Sequence, residues 1–419
     1  MSVPNSTRRL TASLALLAGL GLALNAVPAD AASPAVTAQA AAANAAFLAY
    51  APPPPGGARA LCLVDTGVNP VADIAPGLVS ATALDGGTGS DVDPLLHGTI
   101  DAAIAGGAGH GVLGAWPQLK IVSVRATDVP SPGQVPTFQY DDYVNGINQC
   151  SRTQAGVQVA VIDLPLASMI PPTPDQADEF TAAVNRAQAV GISILAAAGN
   201  DSPDIQLPGN QPGVLPVGAG DRNNAICSFS PTNGLTFYAP GCFIDQIDRN
   251  GEAFCCGNGT SQASAFAAGV LVALRSYAPA LTATSAVQLL LSTTHNGHLD
   301  VAAAFRAAGQ GAIVDAGVAA IPQPAAPPVA ASSPAGLSAP SVRRVTWHRG
   351  VLQITLKRIP KGARLHATIT FAHRKALHLT SRNRRLRVRI PRPSRALLRL
   401  TRGAASSATF PIKVTRLRR

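Results

Sequence analysis

Between Arg59 and Gly309, short apolar runs alternate with segments of helical period, and this alternation constrains the fold more than any other feature of the chain. Ala60–Val64, Leu119–Val124, Val157–Leu164, Ile192–Ala197 and Val214–Val217 read as strands. Each is apolar along most of its length rather than at every second residue, the pattern of a strand covered on both sides. His97–Ala108, Tyr140–Cys150, Gln176–Val190, Ser261–Ser276 and Thr284–Ser292 read as the helices between and after them. Strands and helices in this order predict an α/β unit over residues 58–320, a parallel sheet with helices on both faces. Hydrophobic residues make up 47% of the 419, enough for such a core.

The flanking segments have other compositions. Arg8 and Arg9 precede an uncharged apolar stretch, Leu10–Val27, and small residues follow at Ala29-Asp30-Ala31. Residues 1–31 therefore read as a cleaved export signal. Residues 32–57 form an Ala/Pro-rich extension ending in four prolines, and 321–340 a semi-rigid Pro/Ala-rich linker. From Ser341 to Arg419 there are 18 Arg and 4 Lys with no Asp or Glu, a formal charge of +22, whereas residues 1–340 carry −11. In this last segment the period becomes two, most clearly in Arg385-Leu386-Arg387-Val388-Arg389-Ile390. Half-buried strands with one basic face are expected, hence a small all-β module, sandwich-like or a barrel, over 341–419. Two readings of the basic face stand side by side: a solvated face of a stable module, or an anchor for an anionic cell-envelope polymer or lipid surface. Nucleic acid fits less well, because aromatic residues are few and the chain is read as exported.

Six cysteines suit an oxidising compartment and predict disulfides, with a bridge from Cys242 to Cys255 or Cys256 closing a short loop. No Cys-x-x-Cys spacing occurs, so metal binding by the cysteines is not expected.

Four motifs fall where an open α/β sheet presents its ligands, at the carboxyl ends of strands and the starts of helices. They are Asp65-Thr66-Gly67-Val68, His97-Gly98-Thr99, Ala197-Ala198-Gly199-Asn200 and Gly259-Thr260-Ser261-Gln262-Ala263-Ser264. A serine hydroxyl is a weak nucleophile until an imidazole takes its proton, and the imidazole needs a carboxylate on its other nitrogen. The oxyanion formed in acyl transfer needs donors, which an Asn amide and a backbone N–H at a helix start can supply. Asp65, His97, Ser261 and Asn200 are the candidates for these parts. Any one of them alone reads equally well as a turn or cap residue.

In this order and wording the motifs resemble those of the subtilisin-like serine peptidases, the subtilases, over about residues 59–308. Gly111-Val112-Leu113-Gly114-Ala115-Trp116-Pro117 is similar to a further segment of that family. The resemblance implies a secreted serine endopeptidase in which Asp65 orients, His97 is the general base, Ser261 attacks and Asn200 stabilises the oxyanion. It implies a polypeptide substrate, and the chain is read as a monomer without a cofactor. Members of the family often bind structural calcium, but no acidic loop here maps onto a calcium site, so no metal is expected. The alternative is a subtilisin-like domain that binds at the cell envelope without cutting. An α/β-hydrolase is a poorer match, since its nucleophile needs Gly-x-Ser-x-Gly and precedes the acid and the His.

Some neighbours differ from the family. Ile100-Asp101-Ala102-Ala103 follows His-Gly-Thr, and Gln262-Ala263-Ser264-Ala265-Phe266 follows the serine. Leu164-Pro165-Leu166-Ala167-Ser168 stands where the family has a Gly-rich edge that pairs with substrate, and Pro165 offers no N–H. Leu164, Pro165, Leu166, Ala167, Ala197, Ala198 and Gly199 are the expected substrate-binding residues, lining an apolar pocket. Asp101 and Asp163 read as hydrogen-bonding structural acids. Residues 33–57 are too few for the folded pro-domain that the family's secreted members carry.

Overall fold

The computed structural model describes residues 37–322, apart from 132, 133, 135 and 153–155, and beyond residue 341 chiefly the strands named below. The export-signal reading and the linker from residue 323 lie outside the described residues. The chain divides into two compact units, one ending at Pro322 and the other beginning at Gln323.

The first unit is built on seven parallel strands: β1 Ala60–Asp65, β2 Leu78–Ala83, β3 Lys120–Arg125, β4 Val159–Leu164, β5 Ser193–Ala197, β6 Val214–Gly220 and β7 Tyr238–Pro240. Their order is β2-β3-β1-β4-β5-β6-β7, and every pairing is parallel. Successive residues of β1 face opposite sides. Leu61 and Leu63 enter one core with Ile104, Phe266 and Leu271, while Ala60, Cys62 and Val64 enter a second with Tyr143, Ile147 and Phe180. Helices thus cover both faces, and this double burial is why the strand runs are apolar throughout.

Helix α1 is Ala38–Ala42, α2 His97–Gly106, α3 Tyr140–Cys150, α4 Pro174–Ala189, α5 Thr260–Tyr277, α6 Ala283–Ser292, α7 Val301–Ala307 and α8 Gly311–Ala320. α4 starts where its chemistry dictates. Thr173 caps it, Pro174 occupies the first turn, and Gln176 returns a bond to the cap. α5 is buried along nearly its whole length, as a helix apolar on all sides must be. Edge strands β2 and β7 and helices α7 and α8 are additions to the elements read from sequence. β2 alternates half-buried with exposed residues, and β7 is three residues long.

The Ala-rich extension is packed rather than free from Thr37 on. Phe47 and Leu48 are buried, and the Phe47 ring meets that of Phe305 edge-on at 5.2 Å. Gln39 exchanges two hydrogen bonds with the backbone of Asp245, at 2.8 and 3.1 Å.

Disulfides join Cys62 to Cys150, Cys227 to Cys242 and Cys255 to Cys256. The expected bridge from Cys242 to Cys255 or Cys256 is therefore not formed. In the hairpin of β8 (Cys242–Ile247) and β9 (Ala253–Asn258), Cys242 stands opposite Asn258 and Cys255 opposite Asp245. At about 3.4 Å per residue this register sets Cys242 about 7–10 Å along the ladder from Cys256 and Cys255. That is too far for the Cα separation a disulfide tolerates.

The second unit contains β10 Val342–His348, β11 Val351–Leu356, β12 Arg364–Phe371, β13 Arg374–Ser381, β14 Arg385–Arg389 and β15 Arg395–Arg402, followed by shorter strands. They form a four-stranded and a five-stranded sheet, antiparallel except where Thr415–Arg416 runs parallel to β10. In β14, Leu386 pairs with the buried Ile354, while Arg385 and Arg387 are exposed. Such alternation is what a period of two produces in a half-buried strand.

Candidate active site

The strand order reverses direction at β1 and β4, and the motifs gather beyond the carboxyl ends of the strands around that point. Asp65 is the last residue of β1 and is fully buried. Its Oδ1 also accepts the N–H of Thr66 at 2.6 Å. His97 opens α2 and turns its Nδ1 onto the Asp65 carboxylate, 2.9 Å from Oδ1 and 3.2 Å from Oδ2. The imidazole keeps 24% of its surface exposed. Burial works against its charged form, but the Asp65 carboxylate, with Asp101 and Asp93 beyond it, outweighs this and raises the His97 pKa to about 10.

The small residues of the motifs have steric reasons. Gly98 packs so close to β1 that a Cβ there would stand 2.2 Å from the Gly67 carbonyl oxygen and 3.1 Å from the Asp65 Cβ. Gly67, at φ +105°, lies in the left-handed region, and a Cβ there would strike the Ser90 backbone.

The threonines share an acceptor that sequence reasoning did not single out. The Thr66 hydroxyl donates to Asp91 Oδ1 at 2.8 Å and accepts the Gly98 N–H at 3.0 Å. The Thr99 hydroxyl and N–H both donate to Asp91 Oδ2, at 2.6 and 2.8 Å. Asp91 thus clamps the Asp-Thr-Gly turn to the start of α2. Desolvation raises its carboxyl above the usual range, against these hydrogen bonds.

Ser261 lies in the first turn of α5 and is 7% exposed. Among the described residues its hydroxyl makes no hydrogen bond to the imidazole. Asn200, exposed just beyond β5, turns its Oδ1 inward to accept from the N–H and the hydroxyl of Thr260, at 3.0 and 3.1 Å. The Thr260 hydroxyl also accepts the Gly199 N–H at 3.0 Å. Thr260, also missed by sequence reasoning, therefore fixes which end of the Asn200 amide faces outward. The signal lay in the Gly-Thr-Ser motif itself, where a hydroxyl precedes the serine.

Of the expected substrate-binding residues, Leu164, Ala197 and Ala198 have no exposed surface and Pro165 and Gly199 are buried, while Leu166 is half-buried and Ala167 exposed. Part of this edge is already engaged. The Leu166 carbonyl accepts the Tyr143 hydroxyl at 2.7 Å, and Ser168 exchanges backbone hydrogen bonds with Leu207. A cavity of about 320 Å³ beside it is lined by Ser168, Met169, Ile205, Gln206 and Leu207 among others.

Asp163, at the end of β4, accepts a hydrogen bond from the Ser264 hydroxyl, while its Oδ2 has no partner among the described residues. Burial pushes its carboxyl well above the ordinary value. An unfolded Asp titrates near 3.9, so the proton-binding advantage of the folded state is full below about pH 4 and is lost as pH rises through the raised value. The non-ionisable Asp163→Asn is therefore expected to lose less stability than the wild type on the alkaline side. Thermal unfolding from about pH 4 up to the alkaline range checks this, and parallel curves for the two proteins over that whole range would count against it.

The subtilase family model matches residues 56–311. The minor extracellular protease Epr of Bacillus subtilis is 29% identical over 228 residues, 53% of this chain and 33% of the relative. The serine protease AprX of Bacillus subtilis is 25% identical over 272 residues, 56% of this chain and 60% of the relative. The chain thus spans a third of the first relative's length and three fifths of the second's. Among solved structures, a protease from Pseudoalteromonas arctica superposes with a TM-score of 0.53 at 22% identity, covering 64% of this chain and 93% of that one. This likeness shows the fold. With more than half its length matched by the family model, on a sheet with helices on both faces, the chain belongs to the subtilase family.

Proposed function

We propose that this protein is an exported serine endopeptidase whose basic module holds it to an anionic surface. The observation that carries the reading is the Asp65–His97 hydrogen bond at the end of β1. It leaves Nε2 of the ring as the nitrogen available to take a proton. In the proposed reaction the Ser261 Oγ bonds to the carbonyl carbon of a peptide while its proton passes to His97. The carbonyl oxygen becomes an oxyanion, held by the Asn200 amide N–H and by a backbone N–H of the first turn of α5, which has no acceptor within the helix. On collapse the C–N bond breaks, His97 protonates the departing amine, and an acyl-enzyme remains. Water, deprotonated by the same imidazole, then releases the acid.

A fluorophosphonate probe tests this reading. Labelling of the purified chain is expected to be lost in Ser261→Ala. A folded wild type that never labels would instead support a subtilase domain that binds without cutting.

For residues 341–419 the support is the +22 charge without a single acid and the exposed Arg385 and Arg387 on a strand whose other face is apolar. The excess of Arg over Lys suits bidentate contact with phosphate or carboxylate. Binding of the full chain to anionic vesicles or teichoic-type polymer beads is expected to fall steeply between low salt and about 0.5 M, where screening is nearly complete. Salt-insensitive binding would contradict it.

A further inference from the structure

We infer that Asp101 is a second carboxyl facing the His97 imidazole, a positioning residue that stands within ion-pair distance of Nδ1 behind Asp65 and helps set the pH at which the ring becomes free to accept a proton. This rests on the reading of His97 as the general base. Asp101 follows His97 by one helical turn on α2, so the two side chains lie on one face of the helix. Its Oδ2 is 3.7 Å from His97 Nδ1. One carboxylate oxygen from each of Asp65 and Asp101 and one ring nitrogen of His97 all lie within 4.8 Å of one another.

The surroundings of Asp101 are not those of a structural acid. It is fully buried, and neither carboxyl oxygen has a hydrogen-bond partner among the described residues. Buried acids with structural roles are normally satisfied. Asp73 in the same unit is an example: its carboxylate accepts the N–H groups of Gly109, His110, Gly111 and Val112 at 2.7–3.2 Å. Asp101 reads from sequence as a hydrogen-bonding structural acid, yet it makes none of the bonds that Asp73 makes. Among the described residues, the cation that forms on His97 is the positive charge that acts on it.

The groups around this pair come from four elements. β1 brings Asp65, the segment before α2 brings Asp91 and Asp93, β4 brings Asp163 and α5 brings Gln262. Burial raises the Asp101 carboxyl, and the like charges of Asp65 and Asp91 add to this, while His97 and the Gln262 amide pull it down. Two carboxyls around one ring titrate together with it. While Asp101 carries a proton it exerts no charge on the ring. Once ionised it favours the imidazolium and delays release of the free base to higher pH. Removing the carboxyl must therefore lower the His97 pKa.

The test uses the full-length protein with ring-labelled histidine, the His97 signal being assigned by its absence from His97→Gln. Asp101→Asn and Asp101→Ala are expected to move the His97 titration down by about one unit or more, and to move the acid limb of the kcat/KM profile by the same amount. Asp65→Ala is expected to retain more activity than Asp65→Ala/Asp101→Ala. A His97 titration unmoved in both folded Asp101 variants would overturn the inference. So would a wild-type Asp101 carboxyl resonance that titrates independently of the ring, a result that needs no variant to fold. The ring titration is read without substrate. A chain that neither cleaves nor labels, yet shows the shift, refutes the peptidase reading and leaves the role of Asp101 standing.

Discussion

Ser261→Ala is expected to lower kcat/KM on a peptide anilide by about six orders of magnitude, the size found when the corresponding serine is removed from a subtilisin. The substitution deletes one oxygen from the first turn of α5 and leaves a methyl in a site that is already 93% covered, so the fold has no reason to change. What disappears is the oxygen that forms the covalent bond in the proposed reaction. His97→Ala should cost about as much, and the double variant no more than either, because nucleophile and base act as one unit. Steady-state kinetics with active-site titration of the wild type checks this. A Ser261→Ala protein within tenfold of wild type would assign the nucleophile elsewhere.

Asn200→Ala is expected to lower kcat by about 10²–10³ and leave KM nearly unchanged, the loss of one oxyanion donor as measured in a subtilisin. Here the geometry adds a reason specific to this chain. Both hydrogen bonds to Thr260 fall on Oδ1, so the amide has a single orientation and its N–H end points away from the helix. Asn200→Asp keeps the oxygen that Thr260 holds and puts a second oxygen where the donor stood. It should be slower than Asn200→Ala, since it repels the charge it replaces a donor to. Thermal unfolding of both variants separates this from the loss of about 1 kcal/mol per hydrogen bond to Thr260. Equal losses in kcat and 1/KM would show that Asn200 acts in ground-state binding instead.

Much of the sheet could be read in advance because its central strands are buried on both sides and therefore announce themselves as apolar runs. β2 could not, since an edge strand with one wet side and a bulge against β3 has a broken pattern. The motif residues were legible because each sits at the end of its own element, within a few positions of a glycine whose place is fixed by close approach. Asp91 was not, because its meaning depends on Thr66 and Thr99, which approach it only once β1 and α2 are assembled. The isolation of Asp101 was hidden for the opposite reason. A sequence shows that an acid is present but not that no neighbour comes within hydrogen-bond geometry of its oxygens. Composition also misjudged residues 37–51, where two large apolar side chains among many alanines proved enough to seat the segment.

That seat is made by residues far downstream. The backbone N–H of Val301 donates to the Ala43 carbonyl, Asn44 bonds Asp300, and the Gly317 backbone presses directly against Phe47. Gln39 meets Asp245 of β8, but the rest of this seat comes from α7, α8 and the residue before α7, so it is complete only once those helices have been made. Closing loops this long carries an entropic cost and slows the final packing of Phe47. A chain ending short of α7 lacks the Phe305 ring and the Gly317 backbone that press on Phe47, and so leaves that ring less covered.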